Sequence, residues 1–126
     1  MKRLIITLII VAVCAAASGA ELAFVSHQTD SVLRGVESAD ALVRRGNYSE
    51  AASICKTICR HWDESAPATD ALLIHDYVDS VGLELRKMQT YAEHKCCADY
   101  FSSSESVKKG LASLKGSEYP HIENIL

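Results

Sequence analysis

Proline and glycine are scarce, two and six among 126 residues. That scarcity argues against a disordered chain and against a β-rich fold punctuated by tight turns. Positive charge is not in excess: thirteen Lys and Arg stand against sixteen Asp and Glu, for a formal net charge of −3. The chain therefore lacks the basic footprint that nucleic acid or anionic lipid headgroups would attract. CxxC and HExxH are both missing, which removes two common zinc spacings. No Ser or Cys stands in a recognisable nucleophile context. Between Arg3 and Glu21 there is no formal charge at all.

That uncharged stretch is where the positive content begins. Leu4 to Val25 reads LIITLIIVAVCAAASGAELAFV, with Glu21 its one charge. A transmembrane helix needs about 20 predominantly apolar residues. Lys2 and Arg3 precede the run, so the positive-inside bias leaves the N-terminus in the cytoplasm and residues 26–126 outside. The alternative is a cleaved signal peptide, with Ser18 and Ala20 as the small residues before a cut at Glu21. Lipoprotein processing at Cys14 is disfavoured by the bulk of Val13. The expected division is 1–25 as membrane anchor or signal peptide and 26–126 as one extracytoplasmic helical domain, large enough for a single small core.

Beyond the apolar run, Val25, Thr29, Val32, Val36, Ala39 and Val43 recur at steps of four and three, the spacing of one helix face. No breaker lies between Leu22 and Arg45, so the anchor is expected to continue as one helix, weakest at Gly35. Arg45-Gly46 stops it. Asn47, with Glu50 three residues on, opens a second helix over about 48–64, whose buried face is Ala51, Cys55, Ile58, Cys59 and Trp62. Ser65 reads as a cap and Pro67 as the first turn of a third helix, about 67–94, carrying Ile74, Val78, Val81, Leu85, Met88 and Ala92. After a break near Lys95, a fourth helix aligns Tyr100, Val107, Leu111 and Leu114 and ends at Gly116 and Pro120.

The two helical pairs repeat one pattern. A shift of about 49 residues brings Val32 onto Val81, Val36 onto Leu85, Ile58 onto Val107 and Trp62 onto Leu111, a match of type rather than identity. The expected fold is all-α: an N-terminal transmembrane or signal helix, then an antiparallel four-helix bundle of two hairpins, paired as in tetratricopeptide repeats. A small helical-repeat stack is the alternative arrangement. The basic start, the single anchor, the GNYSEA turn, Trp62, the LLIHDYVDSV segment and the terminal ENIL together resemble the bacterial domain-of-unknown-function family 4363. The likeness covers essentially the whole chain. It implies the architecture and lends no catalytic residue, because the family carries no established activity.

Two clusters invite chemistry. Cys55 and Cys59 lie one turn apart, and Cys96 and Cys97 are adjacent, so an exported domain suggests disulfides. In an up-down-up-down bundle, however, Cys96 is level with the Gly46 turn while Cys55 lies about 11 Å lower. A bridge needs Cα atoms within about 7 Å. A metal site from Cys55, Cys59 and His94 has no supporting spacing, and small core residues are the better reading of both thiols. His75 and Asp79, at i and i+4, could pair a carboxylate with an imidazole. With Trp62 and Asp76 they make a candidate interaction or structural cluster, expected at the membrane-proximal end. The expectation is a binding or accessory module rather than an enzyme, with no cofactor and with an integral membrane protein as partner. The rival is a small His/Asp-dependent or Cys-metal-dependent enzyme.

Overall fold

The computed structural model describes the backbone of residues 1–72 and 75–118, and side chains outside 68–75 and 117–118. These residues form four helices and no strand: α1 Lys2–Arg44, α2 Tyr48–Leu72, α3 His75–Glu93 and α4 Cys97–Glu118. α1 is a single helix of 43 residues, about 65 Å long at 1.5 Å per residue. Every residue from Met1 to Glu21 is exposed, and Val25 is the first buried one. The apolar run is thus a bare helix, long and apolar enough to cross a membrane.

From Val25 onward α1 becomes one staff of a bundle. The stripes are buried as their spacing requires: Val32, Val36, Ala39 and Val43 on α1; Ala51, Cys55, Ile58, Cys59 and Trp62 on α2; Val78, Val81, Leu85, Met88 and Ala92 on α3; Tyr100, Val107, Leu111 and Leu114 on α4. Consecutive helices pack against each other, and α1 also packs against α4. That last contact closes the ring, so the hairpins form a closed bundle rather than an open stack. The α1 helix runs unbroken through Gly35. A Cβ there would lie 2.8 Å from Ile58 Cδ1, so the glycine lets α2 approach closely.

The repeat of about 49 residues is visible in the backbone. After α1, Asn47 N–H donates to the Leu42 carbonyl and Gly46 N–H to that of Val43. After α3, Cys96 N–H donates to Tyr91 and Lys95 N–H to Ala92. Both are Schellman stops, with a left-handed residue at Gly46 (φ 77) and at Lys95 (φ 56). Glycine adopts that conformation freely, whereas Lys95 holds it at a cost of about 1 to 2 kcal/mol.

Three boundaries differ from the sequence reading. α2 runs on to Leu72 instead of stopping near 64, Pro67 lies inside it, and α3 begins at His75 rather than at 67. The Ser65 hydroxyl donates to the carbonyls of His61 and Trp62, both 3.0 Å away, instead of capping a new helix. The alanines at 66, 68 and 71 and Leu72 are strong helix formers that favour continuation. α4 likewise passes through Gly116 to Glu118. Ile74, Pro120 and the ENIL end lie outside the described residues.

Candidate functional site

Trp62 is 2% exposed and faces α3. Its indole Nε1 donates to the Val78 carbonyl oxygen at 3.2 Å. Gly82 permits this: a Cβ there would sit 3.3 Å from the indole ring. Arg86 and Asp63 pair at 3.1 Å across the same two helices, both more than half exposed, a geometry worth at most about 1 kcal/mol. Because α2 continues to Leu72, Trp62 does not end the helix. It sits ten residues, about 15 Å, above the end of α2. Asp76 and Asp79 are exposed on α3. The His75 side chain lies outside the described ones, and so does its pairing with Asp79.

The cysteines divide into two environments. Cys55 and Cys59 are buried, Cys96 is half-buried, Cys97 is exposed, and all are free thiols. Burial pushes Cys55 up to about 12, assisted by the neighbouring Cys59. Burial also raises Cys59 to about 11, with Asp63 adding to the effect. Both are therefore protonated thiols near neutral pH, while nucleophilic attack and metal binding need the thiolate. His94 is exposed at the far turn, apart from this core pair. Among the described residues, no three His, Cys, Asp or Glu side chains are placed to hold a metal ion.

A polar cluster that periodicity does not reveal lies on the α1–α4 seam. Asp40 is 1% exposed. Its carboxylate accepts from Ser104 Oγ at 2.8 and 2.9 Å and pairs with Lys108 Nζ at 2.8 Å. Asp40 holds the Lys108 ammonium above its ordinary range, chiefly through that hydrogen bond. The fully buried phenol of Tyr100 faces Cys55 and Asp40, and its pKa is raised by burial first and by those two groups next. Towards α1's apolar end, Lys115 pairs with Asp30 at 2.8 Å and holds that carboxyl below the usual range. At the other end, the Arg44 guanidinium stacks 5.3 Å over Phe101. Directional polar contacts thus set the register where the ring closes. Asp40 stands four residues after Val36, and Ser104 four after Tyr100, each filling a slot of its helix's apolar stripe. A polar residue in such a slot was the available signal.

Lys108→Met is expected to destabilise the bundle by about 2 to 4 kcal/mol, because it leaves Asp40 buried without a counter-charge. Adding Asp40→Leu and Ser104→Ala to that variant should restore most of the loss. Chemical denaturation of the three-site variant beside Lys108→Met tests this. A single variant as stable as the parent would show the pair to be idle.

The arrangement is one of structural polar contacts within a packed core. Comparison with curated proteins and with solved structures gives no match. The model of a family described as a domain of unknown function, DUF4363, matches residues 21–125, from the end of the uncharged run almost to the C-terminus. By that match over most of its length, the chain belongs to the DUF4363 family.

Proposed function

We propose that this protein is a membrane-anchored, extracytoplasmic helical module serving as a binding or accessory subunit of a membrane complex. One observation carries the reading: α1 is a single helix that is bare and apolar over its first half and a core element over its second. Leu4, Ile5, Ile6, Leu8, Ile9, Ile10, Val11 and Val13 are all more than half exposed. A row of that size left uncovered in water is strongly unfavourable, and hydrocarbon is its natural solvent. Lys2 and Arg3 then favour an N-terminus in the cytoplasm and the bundle outside.

A partner in the same membrane fits a bundle that continues directly from its apolar helix. Asp76, Asp79 and Leu83 follow one another at i, i+3 and i+7, and all are exposed on α3. Asp76→Ala should leave thermal stability unchanged and reduce co-purification of the partner; capture that only tracks stability would remove this face.

Protease treatment of intact cells or spheroplasts tests the topology. The bundle is expected to be digested from outside, and digestion only after lysis would overturn the proposal. Mass spectrometry of the mature N-terminus separates a retained anchor from cleavage before Glu21.

A further inference from the structure

We infer that Cys96 and Cys97 are a reversible redox pair, closing a disulfide with each other by exchange with small-molecule disulfides. The pair sits on the turn from α3 to α4. Cys97 is the first residue of α4, and Cys96 precedes it, its carbonyl accepting from Tyr100 N–H at 2.9 Å. Cys96 is half-buried, Cys97 is exposed, and both are free thiols. The Tyr48 phenol at the start of α2 is held above its ordinary range by burial first, then by Cys97 and Cys96. Both thiols therefore neighbour one hydroxyl. The internal repeat shows what they replace. Asn47 and Tyr48 hold the same places in the α1–α2 turn, where Asn47 Oδ1 accepts from Glu50 N–H at 3.4 Å. At the second turn, the Cys96 thiol instead turns back and donates to the His94 carbonyl at 3.6 Å. A thiol is a weak hydrogen-bonding group, so Cys96 gives up the capping contact that Asn47 makes.

Consecutive Cα atoms are about 3.8 Å apart, closer than the roughly 4.4 Å at which ordinary bridges begin. A bond between neighbours is therefore strained and easily reduced, which suits a switch rather than a staple. The turn can absorb the distortion, because the first N–H groups of a helix have no intrahelical partner to lose. Exchange runs in two steps. The Cys97 thiolate, its proton gone to solvent, attacks one sulfur of the small disulfide and releases one thiolate. Cys96, deprotonated in turn, attacks the Cys97 sulfur, forming the Cys96–Cys97 bond and expelling the second thiolate. Two protein thiols are oxidised, one small disulfide is reduced, and the released thiolates take up the two protons. Cys55 and Cys59 are set apart by burial, which keeps them protonated. The extracytoplasmic reading supplies oxidising surroundings, while the chemistry is tested on purified protein, so the two can fail separately.

The test incubates the full-length protein in detergent with oxidised glutathione, blocks the remaining thiols with iodoacetamide and maps the peptides by mass. The peptide carrying Cys96 and Cys97 should lose two hydrogens and take up no alkyl group. Reduced glutathione should then restore both thiols. In Cys96→Ser the exchange should stop halfway, leaving one glutathionyl group on Cys97. A parent protein that keeps that group on Cys97, or that links two chains through Cys97, would overturn the inference. So would a parent whose two thiols both alkylate after the treatment, or one in which Cys55 or Cys59 is oxidised first.

Discussion

Replacing Trp62 with alanine is expected to cost about 3 to 5 kcal/mol, a large share of the roughly 5 to 15 kcal/mol that holds an ordinary domain folded. Three losses combine: the packed indole volume at the α2–α3 contact, the surface covering Gly82, and the hydrogen bond to the Val78 carbonyl at 3.2 Å. Trp62→Phe should cost less, because it keeps most of the volume and gives up only the donor. Denaturant unfolding of the full-length protein in detergent, followed by circular dichroism, measures both. An alanine variant within about 1 kcal/mol of the parent would mean that the residue is not a packing anchor. Its value would then have to be sought in partner capture, where Asp76→Ala is the matched comparison.

Raising the pH above 9 should destabilise the bundle steeply. Cys55 and Cys59 move up from 9.0 to about 12 and about 11, and Tyr100 also moves upward from 10.0. Each keeps its proton in the folded state after the unfolded chain has released it. The folded state therefore binds more protons, and stability falls as pH rises, by about 1.4 kcal/mol per pH unit for each such group. This contribution is fully present below pH 9 and is lost between there and about 12. Lys108, raised from 10.5 by Asp40, acts with the same sign at the upper end, where losing its charge strands the carboxylate. Trp62 is the one tryptophan, so its emission reports the unfolding transition directly. Replacing both cysteines with alanine should flatten the profile between pH 9 and about 11. A parent protein whose denaturation midpoint is constant over that interval would contradict the account.

The helices and their inward faces were readable in advance because burial follows the 3.6-residue period. Val36, Leu85 and Val107 could be placed from spacing alone. The stops at Gly46 and Lys95 were readable for a related reason, since a chain break shows in one or two residues. The end of α2 was not. Ser65 and Pro67 satisfy the rules for a new helix start as well as they satisfy a tolerated interruption. What separates the two is the Ser65 hydroxyl turning back to His61, a choice the residue type does not record. The seam residues were missed for a different reason. Asp40 and Ser104 each interrupt an apolar stripe with a polar residue, but what they pair with shows only once the helices are docked, because 64 residues separate them. Trp62, expected close to the end of α2, lies well inside the helix for the same reason as the α2 boundary.

The closed ring also has a kinetic side. Trp62 and Val78 are 16 residues apart, so the α2–α3 hairpin can assemble from neighbouring chain at small entropic cost. The α1–α4 seam joins residues 64 and 85 apart, and contacts of such separation are slow to form. Loop-closure entropy therefore makes the α1–α4 seam the last contact to close, after the local hairpins have formed. Until then Asp40 on α1 lacks Ser104 and Lys108, the partners that the seam supplies. A late step of that kind gains from contacts that tolerate only one alignment, and the Asp40, Ser104 and Lys108 triad supplies them. During synthesis, the interval before residues 97–118 emerge is when this chain is most exposed to pairing with the wrong helix.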